Sequence, residues 1–359
     1  MNPAQDLAPA PTPLTTPDAT PLTDNKDRIV QTAELIPGAI TETGGVFTQH
    51  LGIVDPYVQK DPERAAMITG EIEAAIAEIR TMGYQRHQPN PFTEQLYTNP
   101  NCTMARWRRA IPGAEALLPL YEVGSHLPDG TPIDDHAADL FQFAADARGI
   151  RSRAAAMTWV VENHVAKYLQ DNRIQWLSLA CGAAVPAFRT VRDLQAEGRD
   201  VQVTLIDQDA QALDLALHQA ERHEIPRHSL VLHRQNVLHR SRLHQTLDPK
   251  RFHVAEGLGI FEYFVNDVRK RTGAQSFLQV AYELVEPGGL LVVSNMLSTH
   301  PQLAFTLIAI QWPYIWPRSV PEIVQIVREA GIPDDEVQIF LPDDGVYAVV
   351  AINKSIDRN

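Results

Sequence analysis

From about residue 133 the chain alternates short apolar runs with amphipathic stretches, and that alternation leaves few folds open. The runs WLSLA (176–180), VQVTLI (201–206), SLVLH (229–233), FHVAE (252–256) and LLVVSN (290–295) read as strands. Helical patterns lie between and after them at about 184–197, 209–223, 267–285 and 319–330. Strand–helix alternation requires parallel strands joined by crossovers, hence a sheet covered on both faces. The end of the chain breaks the pattern, because EVQIFL and GVYAVVAIN are separated by Pro-Asp-Asp-Gly, a hairpin signal. The expected fold is α/β: a doubly wound, mostly parallel seven-stranded sheet with an antiparallel last strand.

Ahead of the sheet, DDHAADLFQFAADARG and RSRAAAMTWVVENHVAKYLQDN read as two helices. Further upstream, Asp61-Pro-Glu-Arg gives an N-cap and a first-turn proline for a helix over AAMITGEIEAAIAEIRTMGY. HQPNPF and YTNPNC read as loops. Residues 1–27, rich in Pro, Thr, Ala and Asp, hold too few large apolar side chains to offset the entropy of ordering and are expected to be a disordered tail. The expected organisation is thus tail 1–27, a mainly helical N-terminal region 28–149 serving as a substrate cap or in dimerisation, and a Rossmann-like domain 150–355.

Within the sheet pattern, Trp176–Pro186 (WLSLACGAAVP) ends an apolar strand in side chains too small to fill a core. A strand, a small-residue loop and a helix form the usual arrangement for a nucleoside cofactor at a strand's carboxyl end. Only Gly182 of the loop is a glycine, and a pyrophosphate needs several bare amides, so NAD or FAD is disfavoured. The next strand ends in Asp207, placed to accept from ribose hydroxyls or, more simply, to cap the following helix. Cys181 reads as packing, and Gly182 as a close-approach or a turn glycine.

At these residues the chain resembles the class I S-adenosylmethionine-dependent methyltransferases, from about residue 150 to 353. LSLACGAA matches the first motif, TLIDQD the strand-end acid, Gln235-Asn236-Val237 the adenine side, VAEGLGIFEYF the fourth strand and LVEPGGLLVVSN the fifth. The resemblance implies S-adenosyl-L-methionine as cofactor, held by Ser178, Ala180, Cys181, Gly182, Ala183, Asp207, Gln208, Gln235, Asn236, Val237, Glu256, Gly257 and Arg153. Ser178 stands where the family has an acid, and Ala180 and Ala184 replace glycines. Glu256 is expected to supply the missing charge, and Arg151 and Arg153 to meet the methionine carboxylate. Glu262, Tyr263 and His300 are the catalytic candidates near the strand ends, against a packing role.

The expected reaction is methyl transfer to a small molecule, as O-methylation of a carboxylate or hydroxyl. A non-catalytic cofactor-binding regulator and an NAD(P)-dependent oxidoreductase are the rivals. A net charge of −13 disfavours sequence-independent nucleic-acid binding. The two cysteines, Cys102 and Cys181, give neither a disulfide framework nor a metal set. His218, His223, His228, His233, His239 and His244 fit no single face, so no metal is expected. With no membrane-length apolar run and no secretory layout, the expected partner is a small-molecule acceptor, with no membrane and a homodimer as one option, in the cytoplasm. The aromatic QWPYIWPRS segment reads as a lid or as packing.

Overall fold

A computed structural model describes residues 32–43, 45–169, 172–266 and 273–356. The expected tail 1–27 and the first turns of the helix expected from 267 lie outside the described residues. The described residues form one compact unit.

The unit opens with β1 (Thr32–Thr43) and β2 (Val46–Val54). Six helices follow: α1 (Pro56–Lys60), α2 (Pro62–Met82), α3 (Pro91–Tyr97), α4 (Thr103–Ala110), α5 (Ala114–Tyr121) and α6 (Asp135–Phe143). The long α7 (Ala145–Tyr168) then leads into β3 (Arg173–Leu179), α8 (Val185–Ala196), β4 (Asp200–Asp207), α9 (Ala210–Arg222) and β5 (Leu230–Arg234). Next come α10 (Arg240–Leu247), β6 (Phe252–Gly257), α11 (Ala274–Leu284), β7 (Val285–Met296), α12 (Val320–Glu329), β8 (Val337–Pro342) and β9 (Tyr347–Asn353).

All of these strands join one sheet in the order β1-β2-β8-β9-β7-β6-β3-β4-β5. The expected seven strands are β3–β9, with β9 antiparallel to both β7 and β8. Beyond them, β2 runs parallel to β8 and β1 pairs antiparallel to β2, so the N-terminal region adds a hairpin to the sheet edge. The sequence signal for it is Gly44-Gly45 between two runs rich in β-branched residues.

Successive side chains of the central strands go to opposite faces. Leu177 and Leu179 of β3 join Leu291 and Val293 of β7 in a core with α11 and α12. Trp176 joins Val203, Leu205, Val254 and Val292 in a second core with α7, α8 and α9. A third core lies over the helical region: Ile68, Ile72, Ile76 and Ile79 recur at one-turn spacing along α2 and pack with Phe141 and Phe305. Asp61 caps α2 by accepting from Arg64 N at 3.0 Å, as its sequence predicts.

Two expectations are corrected. Pro91-Phe92, read as loop, opens α3, capped by Asn90. The two helices expected to meet near Gly149 meet instead at Ala144, and Gly149 lies inside α7. A Cβ on Gly149 would sit 2.3 Å from Val346 Cγ1, so this glycine allows close packing and ends nothing.

Candidate active site

The order β6-β3-β4 makes β3 the switch point, since the chain leaves it toward β4 on one side and returns to β6 on the other. A cavity of about 520 Å³ opens there. One wall is the loop Ala180–Pro186 with Asp207, Gln208 and Gln235–Leu238, from the ends of β3, β4 and β5. Glu256, Leu258, Gly259, Ile260, Tyr263 and Phe264, at and after the end of β6, also line it. Leu117, Leu118 and Tyr121 of α5 complete it from the N-terminal region, a contribution with no local signature in the sequence.

The loop after β3 is tightly wound. Ala180, Gly182 and Ala184 all have left-handed backbones, with φ of 52°, 53° and 53°. Two alanines therefore hold a conformation suited to glycine, at a cost of roughly 1–2 kcal/mol each, and their methyls leave the cavity open. Three of the loop's amides are bonded within the protein. Cys181 N donates to Ile206 O at 3.0 Å, Ala184 N to Cys181 O at 2.8 Å and Gly182 N to Asp207 Oδ2 at 2.9 Å. Pro186 has no N–H to give.

Asp207 is thereby fixed. Its Oδ1 accepts from Asp209 N at 2.9 Å. Burial raises its pKa, and the N–H donors oppose that rise. The cap of α9 is the next acid, Asp209, which accepts from Gln211 N at 3.0 Å. Among the residues after β5, Asn236 is engaged at both ends, with Gln208 and with Leu238 N. Gln235 accepts from Thr246 Oγ1 at 2.9 Å, and its buried Nε2 has no partner.

Ser178 and Glu256 are register partners on β3 and β6, and the serine hydroxyl donates to the Glu256 carboxylate. Leu258 N donates to the other carboxylate oxygen at 3.0 Å. Burial pushes the Glu256 pKa up to about 7 against these hydrogen bonds and the nearby Arg153 charge. Ser178 is fully buried behind the lining, so it reaches the cavity only through Glu256. Gly257 is not in the lining; a Cβ there would meet Phe277 Cζ at 2.8 Å.

The two arginines of α7 part company. Arg153 lines the cavity, with its guanidinium 4.5 Å from the centre of the Tyr347 ring, 3.4 Å from Glu262, and its Nε unpartnered. Burial opposes its charge, but Tyr347, Tyr121 and Glu262 outweigh that and raise its pKa. Arg151 faces away. It pairs with Asp55 at 2.8 Å and donates to the carbonyls of Leu120, Phe141 and Gln142, so it is taken up by the fold and is not offered to a ligand.

The catalytic candidates separate too. Tyr263 lines the cavity. Glu262 lies behind it, accepting from Arg153 and from Met296 N at 3.1 Å, its pKa raised by burial. His300 is buried away from the lining. Its Nδ1 accepts from Gln302 N at 2.9 Å, which puts the ring proton on Nε2, 3.1 Å from Asp146. Of the aromatic segment, Trp312 is buried and donates from Nε1 to Tyr263 Oη at 2.7 Å, whereas Tyr314 and Trp316 are exposed. No helix among the described residues is long and apolar enough to cross a membrane.

No family model matches the chain, and no curated protein matches it in sequence. Solved structures do. An O-methyltransferase family protein from Burkholderia thailandensis is similar over 89% of this chain and 81% of its own, at 15% identity and a TM-score of 0.44. Magnesium protoporphyrin IX methyltransferase from Synechocystis, with bound SAM, is similar over 76% of this chain and 100% of its own, at 12% identity and 0.43. The CMeT domain of citrinin polyketide synthase is similar over 74% and 65%, at 15% identity and 0.48.

Proposed function

We propose that the protein is an S-adenosylmethionine-dependent methyltransferase acting on a small molecule at an oxygen. The observation that carries this is the Gly182–Asp207 hydrogen bond at the mouth of the cavity. It presents a strand-end carboxylate to a ribose while consuming one of the amides that a pyrophosphate would need. With Cys181 N and Ala184 N also bonded within the protein, the loop suits a nucleoside without a pyrophosphate.

The remaining groups fit the rest of that cofactor. Gln235 Nε2, buried and unpartnered, suits an acceptor nitrogen of adenine. Glu256 suits the methionine ammonium, and Arg153 with its free Nε suits the carboxylate. When bound, the cofactor supplies a methyl group on a positively charged sulfur, an electrophile that needs no further activation. The protein's part is to exclude water and hold the acceptor in line. In this reading α5, with Leu117 and Leu118, covers the acceptor and belongs to the substrate-shaping part of the N-terminal region.

Calorimetric titration with S-adenosylhomocysteine and, separately, NADH tests the proposal. Binding of the first and not the second is expected. Tight NADH binding would overturn it, and S-adenosylhomocysteine binding without methyl transfer to any acceptor would favour a regulatory protein.

A further inference from the structure

Tyr263 has one hydrogen bond whose direction is fixed. An indole N–H can only donate, so Trp312 Nε1 gives to Tyr263 Oη across 2.7 Å and leaves the phenolic proton unused in that contact. Tyr263 lines the cavity together with Leu258, Ile260 and Phe264. Its burial, with Glu262 nearby, raises its pKa well above the ordinary phenol value, so it keeps that proton. The hydroxyl is a donor in search of an oxygen.

The other ionisable groups of the lining are poorly placed to remove a proton from an acceptor. In the methyl-transfer reading Asp207 faces the ribose and Glu256 the ammonium, in addition to the donors each already accepts, so neither is left for an acceptor's proton. The Cys181 thiol is pushed up by burial and donates to Gly182 O. Asp209 caps α9, and Tyr121 lies against the Arg153 cation. Among the described lining residues there is no histidine. An alcohol, phenol or amine acceptor must lose a proton during transfer, whereas a carboxylate need not.

We infer that the part of the cavity lined by Leu258, Ile260, Tyr263, Phe264 and α5 takes a carboxylic acid with an apolar body, its carboxylate oriented by the Tyr263 hydroxyl and its body against Leu117, Leu118, Ile260 and Phe264. The inference rests on the methyl-transfer reading and narrows its substrate class to acids methylated as esters. Trp312 is a positioning residue in this arrangement: by donating to Tyr263 Oη it leaves the phenolic proton for another acceptor.

The test uses the full chain loaded with S-adenosylhomocysteine, titrated with phenylacetate, cinnamate and decanoate and with the matching alcohols and amines. At least one acid is expected to bind about tenfold or more tighter than its alcohol, the worth of one hydrogen bond to a charged group. Tyr263→Phe is expected to remove about tenfold of that affinity while leaving S-adenosylhomocysteine binding within about twofold. Label from tritiated S-adenosylmethionine is expected in a product that alkali hydrolyses to methanol. Preference for an alcohol or amine, alkali-stable label, binding of none of the acids, or an unchanged Tyr263→Phe variant would overturn the inference. Failure to bind S-adenosylhomocysteine would instead sink the methyl-transfer reading itself.

Discussion

The Ser178 hydroxyl on β3 donates to the carboxylate of its register partner Glu256 on β6. The negative charge at this point of the sheet is thus carried on β6, and the β3 residue serves as its hydrogen-bond donor. Glu256 is buried and its pKa is pushed up to about 7, so its charge state changes within the working range of a neutral-pH protein.

That shift has a sign. A carboxyl whose folded-state pKa lies above its unfolded value stabilises the fold below the unfolded pKa, and the contribution disappears as pH rises through the folded one. Between about pH 4.5 and 7 the ligand-free protein is expected to lose up to about 3 kcal/mol relative to Glu256→Gln. Urea unfolding of both proteins at pH 5 and pH 8 measures it; equal pH dependence in the two would count against the buried-carboxyl reading.

Cofactor binding should respond to the same group in the opposite direction. If the ionised Glu256 faces the ammonium, S-adenosylhomocysteine affinity falls as pH drops below about 7, approaching tenfold per unit. In Glu256→Gln the affinity is lower at pH 8 and flat over this range. Calorimetry at several pH values decides this.

Asp207 is expected to carry ribose recognition. Asp207→Ala removes the carboxylate and also frees Gly182 N, so S-adenosylhomocysteine affinity should fall by about tenfold to a hundredfold. Circular dichroism should keep its wild-type form, since the α9 cap belongs to Asp209. An unaltered affinity would remove Asp207 from the site.

The loop alanines make a prediction about stability. Ala180 and Ala184 occupy left-handed backbone, so Ala184→Gly relieves strain at the expense of a more flexible unfolded chain. A net gain of about 0.5–1 kcal/mol is expected, read as a higher denaturation midpoint at constant slope. A lower midpoint would show that the alanine methyl contributes more by packing than its backbone costs.

Arg151 should behave as a structural residue. Arg151→Met leaves Asp55 without its cation and three carbonyls without a donor, and it should lower unfolding stability by about 3 kcal/mol or more. The Arg153→Met variant also leaves the buried Glu262 without its cation, so it should lower stability as well, but it alone of the two should in addition weaken ligand binding. Comparing denaturation with titration for the two separates these roles.

The parts of the fold that could be read from the sequence are those whose signal is local. Strand–helix alternation, the Asp61 cap and the Pro-Asp-Asp-Gly hairpin each depend on neighbouring residues, and each recurs in the structure at nearly the expected bounds. The β1–β2 hairpin was harder to read because VFTQHLGIV lacks clean alternation and its value lies in pairing with β8, almost three hundred residues away. Gly149 misled for a related reason: it is a helix residue whose missing side chain makes room for Val346.

The sequence by itself determined the periodicities, the small-residue loop after β3 and the acid ending β4, because chain geometry fixes what a run of residues can form and where its ends point. Only the tertiary structure decided which of two arginines two residues apart faces the cavity, that Glu262 stands behind Arg153, that His300 is turned toward Asp146, and that Trp312 leaves the Tyr263 proton free. Those outcomes depend on which distant groups supply a buried polar atom with its partner, and no local pattern encodes that choice.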